Sequence, residues 1–399
     1  DLYSTFQFGL DLREGHFAVG LSAALRVKVV DRGGTGSKGF RHRDWDEPSD
    51  FAHIVRYMSY RKQMGPVHLG LMIGELATAS LGHRSILDQY LSVADLDHPH
   101  SGAWIRVGHR YVSFDFLTGN FVDPHLLAGR VEIRPVPSLR RLVIGVTGLV
   151  DLKAPVSVRR DDRGEARVDH ANHLLVDRDQ VGFVGFDAAY TWRFGQAELT
   201  PFVDGNWMVG SGGGLHLGGT ARIAAGRWSF AFTGTYHLAV DGYRPGYVDM
   251  FYDVQRYQLA LGRGMARRIG SLDPKLAVQS RIKGAFHGGR FVASVDYGDS
   301  YRMEVGYDMG HSVAGDLVWM KLDVPYGRRF VFGALAARTG FLSSGDWREA
   351  GGTMAGVETR FRLFRYMYLL GQLRYLYLLD GRYQGVLLAN VAVGGSWDY

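Results

Sequence analysis

The chain has no cysteine among its 399 residues. Disulfide-stapled secreted scaffolds, thiol chemistry and cysteine-ligated metals are therefore excluded. A protein that crosses an oxidising periplasm unfolded is compatible with that absence. Long apolar runs are missing too. Hydrophobic residues make up 46% of the chain, yet no stretch reaches the ~18 consecutive apolar residues a membrane helix needs. Proline is scarce, at 11 residues, and helical periodicity is almost absent, Ile86-Leu87-Asp88-Gln89-Tyr90-Leu91 alone reading as a short turn of helix. Asp1 opens directly into Leu2-Tyr3-Ser4-Thr5-Phe6 without a leader, so the sequence reads as a mature or trimmed form. The formal charge is +6, but basic residues are interleaved with acidic ones rather than gathered in a run. Nucleic acid is not an expected partner on that ground.

What is present is alternation. From about Phe17 onward, segments of ten to fourteen residues place apolar side chains at every second position, the period of a strand with one apolar face. In 275–287, Leu276, Val278, Ile282 and Phe286 alternate with Lys275, Gln279, Arg281, Lys283 and His287. The same holds for 302–309, 317–324, 356–363 and 367–375. These strands are about twice the five or six residues usual in soluble sandwiches, a length that suits a ~25 Å apolar band crossed at a tilt. Aromatics gather near strand ends: Trp192 and Phe194, Trp207, Trp228, Tyr243 and Tyr247, Tyr326, Phe364 and Tyr366. Short turns alternate with long polar stretches at 31–50, 77–102, 152–179, 241–249 and 340–352. Counted back from a periplasmic C-terminus, the long ones fall outside. One connection, 263–274, breaks the rule by landing on the periplasmic side.

The last stretch, Leu387 to Tyr399, alternates Leu387, Ala389, Val391, Val393, Trp397 and Tyr399 against Asn390, Ser396 and Asp398. With its terminal aromatic it resembles the C-terminal assembly signal of bacterial outer-membrane β-barrels. At these strands and at Trp397-Asp398-Tyr399 the chain resembles a porin-type barrel over nearly its whole length. In Val67–Arg106 a strand runs into a segment similar to those that fold back inside the barrel in substrate-specific porins. The expectation is an all-β fold: one closed, antiparallel transmembrane barrel over 1–399. The count comes out odd, at about 21. Because single-chain bacterial barrels are normally even, about 20 strands are expected, within 16–22. The resemblance implies a bacterial outer-membrane location. It also implies the lipid bilayer and lipopolysaccharide as partners, and no cofactor.

Charges in lipid cost roughly 2–4 kcal/mol at mid-depth, so the polar faces should line a lumen. This assigns Arg106, Arg130, Arg222, Arg281, Lys283, Arg302, Glu304, Lys321, Glu358, Arg360 and Arg374 to it, with Arg281, Arg302, Arg360 and Arg374 as the leading candidates. Basic residues outnumber acidic ones there, which favours anions in a water-filled pore. The competing reading is a salt-bridged, sealed interior, a structural barrel that anchors other outer-membrane or periplasmic proteins. Within 77–102, Leu87, Tyr90 and Leu91 are too apolar for a solvated loop. They suit a constriction folded into the lumen, or packing over neighbouring loops. The stretch 152–179 reads as a long extracellular loop. Asp95, Asp97, His98 and His100 carry weak metal-ligand spacing, more often simply a polar loop. His237, His83 with Ser85, and His100 with Ser101 are ingredients of a hydrolase that nothing in the sequence brings together, so no enzyme is expected.

Overall fold

The computed structural model describes residues 2–30, 39–41, 45, 48–95, 98–136, 139, 141–170, 173–259, 273–298, 300–312, 315–326, 329–341, 352–364, 366–379 and 383–398. Its wall is a closed barrel of 19 long strands. In chain order these are β1 (Leu2–Glu14), β2 (Phe17–Val30), β3 (Val55–Met64), β4 (Val67–Gly74), β5 (Gly102–Gly108), β6 (Val112–Thr118), β7 (Leu126–Ile133), β8 (Leu142–Val158), β9 (Val176–Tyr190) and β10 (Ala197–Met208). They continue as β11 (Gly213–Ala225), β12 (Trp228–Val240), β13 (Ala285–Tyr297), β14 (Tyr301–Ser312), β15 (Gly315–Tyr326), β16 (Phe330–Phe341), β17 (Thr353–Phe364), β18 (Met367–Leu379) and β19 (Tyr383–Asp398). Two short pieces, Gly39–Phe40 and Trp192–Phe194, extend the ladder. Each long strand pairs antiparallel with the next. The seam is different: β1 runs parallel to β19, from Gln7↔Ala392 to Arg13↔Asp398. An odd number of hairpin-linked strands leaves the first and last pointing the same way, so closure requires a parallel pair. The closed barrel and its 19 strands agree with the expected 16–22, and the one departure from an antiparallel wall is this seam pair.

The raw reading of about 21 strands exceeds 19 in one region. Between β12 and β13 the sequence suggested further strands, including 275–287. Instead 241–284 is a single connection, because Val240 pairs directly with Ala285. Residues 252–255 and 275–280 are short helices, α2 (Tyr252–Gln255) and α3 (Lys275–Ser280), following α1 (Pro48–Ala52). In α3 the buried residues are Lys275, Val278 and Gln279, the i, i+3, i+4 set of a helix face. Leu276 and Val278 had imitated a strand. The anomalous connection 263–274, of which 260–272 lie outside the described residues, belongs to this same long segment, so all the long connections leave one end of the barrel. Ile86–Leu91 is not helical. It is irregular, with bends at Ile86 and at Gln89, whose φ is 55°, and with Leu87 bridged to Val248 and Tyr90 to Ala79.

The outer face is apolar and exposed on every side, for example at Phe8, Val146, Phe186, Phe232, Val305 and Val391. Strands of 12–13 residues at ~3.3 Å per residue span about 40 Å, enough to cross a ~25 Å apolar band when tilted. Aromatic side chains stand exposed at the short-turn end, including Trp192, Phe194, Phe364 and Tyr366, where a membrane interface accommodates them. Tyr243 and Tyr247, read as part of such a girdle, are instead fully buried inside. Phe291 lies at the middle of β13 and is 67% exposed. Phe291→Arg is therefore expected to destabilise the barrel by roughly 2–4 kcal/mol, measured by denaturant unfolding in lipid vesicles. No change would contradict a lipid-facing Phe291.

Candidate functional site

The described residues of the two longest connections, 75–101 and 241–284, fold inward and occupy much of the lumen at the long-segment end. They join as a short parallel ladder: Asp88 N donates to Val248 O at 2.9 Å, and Val248 N to Ile86 O at 3.1 Å. Leu87 and Tyr90 are 0% exposed, and Leu91 is buried. Ile86, Leu87, Tyr243, Tyr247 and Tyr252 pack against inward-facing Leu117, Leu149, Phe183 and Met208 of the wall. The wall is apolar inside here because it meets this plug rather than water.

Polar groups of the plug find partners on the strands and on one another. Ser85 donates to Asp204 and accepts from Asn206 at 2.9 Å. Arg290 reaches Asp88 at 2.5 Å, and Gln89 reaches Glu304 at 3.4 Å. Tyr90 donates to Asp253 at 2.8 Å. Tyr252 and Arg256 share Asp151, at 2.5 Å and 3.0 Å. Lys275 pairs with Asp249 at 3.4 Å. Burial pushes the Asp253 carboxyl up to about 7 even though Arg256 opposes the shift.

On the wall, opposite charges sit at register-opposed positions, where Cβ atoms are ~5 Å apart. Arg106 lies across from Asp115 and binds it at 2.6 Å. Glu304 lies across from Lys321, at 3.7 Å, and also accepts from Trp319. Arg302 binds Asp296 at 3.3 Å. Arg130 grips Asp187 with two nitrogens, at 2.5 and 2.9 Å. Glu358 accepts from Gln372 at 2.6 Å and lies 3.9 Å from Arg374. Arg222 is exposed on the inward-facing row that includes His216, towards the short-turn end. Arg281 and Lys283 are corrected: both lie after α3 in the long connection rather than in the wall, and Arg281 binds Asp273 at 2.7 Å.

The plug packs against the far wall and leaves a polar cleft of about 130 Å³ along the seam. Gln7, Ser22 and Arg26 of β1–β2, with Gln372, Arg374 and Asn390 of β18–β19, form one side, and Glu75, Val93 and Asp95 of the plug the other. Beside it Asp11 is 2% exposed. Its carboxylate accepts from Arg56 at 2.8 Å and Tyr57 at 2.9 Å, and lies 3.1 Å from Arg360. Gly20 permits this approach, because a Cβ there would overlap the Tyr57 ring and crowd Asp11. Burial, with the charges of Arg374 and Arg26, lowers the pKa of His53 against the opposing pull of Glu75.

The other sequence candidates separate. Asp95 lines the cleft; Asp97 lies outside the described residues. His98 stacks on His173, and His100 meets Asn120. Among the described residues no group of three or more His, Asp or Glu is placed to hold a metal ion. His83 turns to Asp187 while Ser85 turns to Asp204. His237 meets His216 at 2.7 Å and Asp308 at 3.5 Å. Sequence reasoning missed Asp11, Asp151, Asp253 and Arg256. The only signal for the last two was the aromatic density of Tyr243 to Tyr257 without strand alternation.

The fold defines a closed β-barrel with a membrane-type apolar exterior. No family model matches the chain, and no curated protein matches it by sequence. Among solved structures it is similar to a triple mutant of the porin of Rhodopseudomonas blastica, at 9% identity over 98% of this chain and 99% of that one, with a TM-score of 0.30. It is similar also to OccAB2 of Acinetobacter baumannii, at 10% identity over 84% and 87%, with a TM-score of 0.33. At such values the functional reading rests on this barrel's own geometry.

Proposed function

We propose that the chain is a bacterial outer-membrane channel that passes small polar solutes passively, favours anions, and catalyses nothing. The long-segment end faces the cell surface, and the plug acts as the constriction. The carrying observation is the seam cleft, a gap between plug and wall into which Gln7, Arg26, Arg56, Glu75, Arg374 and Asn390 bring polar groups. Solutes pass along Arg26, Arg56 and Arg374, whose charge lowers the energy of an anion in a narrow, poorly screened passage. Asp11 offsets this only in part, since one carboxylate is shared between the two guanidinium groups of Arg56 and Arg360.

The second reading is a sealed structural barrel that anchors other outer-membrane or periplasmic proteins. The fully buried pair Arg256–Asp151 favours it, since it ties the plug to β8, while Lys275–Asp249 braces the plug within itself. Single-channel recording in planar bilayers under a salt gradient separates the two. The expected result is small, steady steps with an anion-biased reversal potential, and Arg26→Gln with Arg374→Gln should move that potential toward the cation side. Silence from verifiably folded protein would remove the channel and leave the anchor.

A further inference from the structure

A second cavity, of about 500 Å³, opens at the long-segment end. It adjoins the seam cleft, since Asp95 lines both. Its size lies in the ~300–1,000 Å³ range of small-molecule sites. Four of the 15 histidines of the chain, His98, His100, His125 and His173, line it together with Arg256.

The hydrogen bonds around it fix the tautomers. Asn120 Oδ1 accepts from the backbone N–H of Val122 at 2.9 Å and of Asp123 at 3.2 Å. Its amide nitrogen therefore faces His100 and donates to Nδ1 at 3.3 Å, which puts the imidazole proton of His100 on Nε2. His125 has the opposite arrangement. Its Nδ1–H donates to the Asp123 carbonyl at 3.3 Å, so Nε2 keeps a bare lone pair. That atom is buried without a partner, in a side chain 4% exposed. Arg256, also 4% exposed, donates from Nη2 to Asp151 and to the Lys153 carbonyl, and its Nε–H is buried without a partner. Buried polar atoms are satisfied in most proteins, so two orphans of opposite sense on residues that line one cavity point to a ligand with both an acceptor and a donor.

The sign of the ligand follows from Arg256. Burial and then the Arg256 charge lower both imidazoles, His100 to about 3 and His125 well below its usual value. Both are thus neutral near pH 7, and Arg256 is the largest charge acting on each. Its unpartnered Nε–H and the Nε2–H of His100 are donors, which suit the oxygens of an anion. The remaining charges at the cavity are Lys153, Arg178, Asp95, Asp123 and Asp169. Lys153 is held by Asp123 at 2.6 Å, and Asp169 lies 3.5 Å from His173.

We infer that this cavity binds a small oxyanion carrying a hydroxyl, of the hydrogen-phosphate or 2-hydroxycarboxylate kind. Its anionic oxygens accept from Arg256 Nε–H and His100 Nε2–H, and its hydroxyl donates to His125 Nε2. The site stands on these contacts alone, whereas its role as a loading vestibule for the passage rests on the channel reading.

The test is titration calorimetry of the folded, detergent-solubilised full chain, near neutral pH, with inorganic phosphate and with lactate. Acetate, which lacks the hydroxyl, serves as the comparison. Saturable binding is expected for at least one hydroxylated anion, with acetate weaker than lactate if lactate is the better ligand. Replacing the acceptor in His125→Phe should weaken binding about tenfold, as expected for one lost buried polar contact. His100→Phe, which removes the Nε2–H donor at a less buried position, should weaken it similarly and guards against a folding defect in the first variant. Saturable binding in a barrel that does not conduct would keep the site and remove only the channel. Conductance without saturable binding of either anion, or affinities indifferent to both substitutions, would overturn the site.

Discussion

Replacing residues 80–89 with an Asn-Gly turn is expected to raise single-channel conductance several-fold. The geometry of the plug permits the excision. Ala79 and Tyr90 exchange both backbone hydrogen bonds, at 3.0 and 2.8 Å, so a two-residue hairpin turn can join them without moving either flank. The segment removed carries Ile86, Leu87, Asp88 and Gln89 out of the lumen. It also frees the inward faces of Asp204, Arg290 and Glu304, which become hydrated wall rather than orphaned core. Losing the burial of Ile86 and Leu87 forfeits about 1.5–3 kcal/mol for each. The wall is closed by its own ladder from β1 to β19 and does not depend on that contact. Bilayer recording gives the conductance, and heat-modified gel mobility confirms the closed barrel. An unchanged conductance from a folded variant would mean that this segment does not limit passage.

Asp11→Ala is expected to cost about 3 kcal/mol and to strengthen anion selectivity. The cost is placed at the low end of the ~3–5 kcal/mol for breaking a buried ion pair, because Arg56 and Arg360 keep part of their surface in lumen water. Without the carboxylate, two guanidinium groups face each other, one of them stacked over the Tyr368 ring at 4.0 Å. Arg56 lines the cleft, so the released charge lies on the proposed path. Asp11→Asn keeps the shape and should shift the reversal potential in the same direction at smaller cost. Denaturant unfolding and salt-gradient recordings read the two effects separately. A reversal potential that does not move in either variant would place the path elsewhere in the lumen.

The wall was legible because its physics is local. Along β14, Met303, Val305 and Tyr307 face out while Glu304 and Asp308 face in, and a period of two states this without knowledge of any neighbour. Pairs such as Glu304 with Lys321 needed only the register of adjacent strands. Lys275–Ser280 was misread because six residues are too few to separate a helix period from a strand period when Leu276 and Val278 satisfy both.

The sequence by itself therefore determined a barrel of long, one-sided strands, with charges kept from lipid and the long connections at one end. Tertiary structure alone decided the odd count with its parallel seam. It also set the partnership of 75–101 with 241–284, the placement of Asp11 between two arginines, and the meeting of His100, His125 and Arg256 around one cavity. The physical reason is separation along the chain. Alternation is a property of neighbours one and two residues apart. A plug contact such as Tyr90 with Asp253 or Ser85 with Asp204 spans more than a hundred residues and exists only once the closed wall has fixed where each segment can turn.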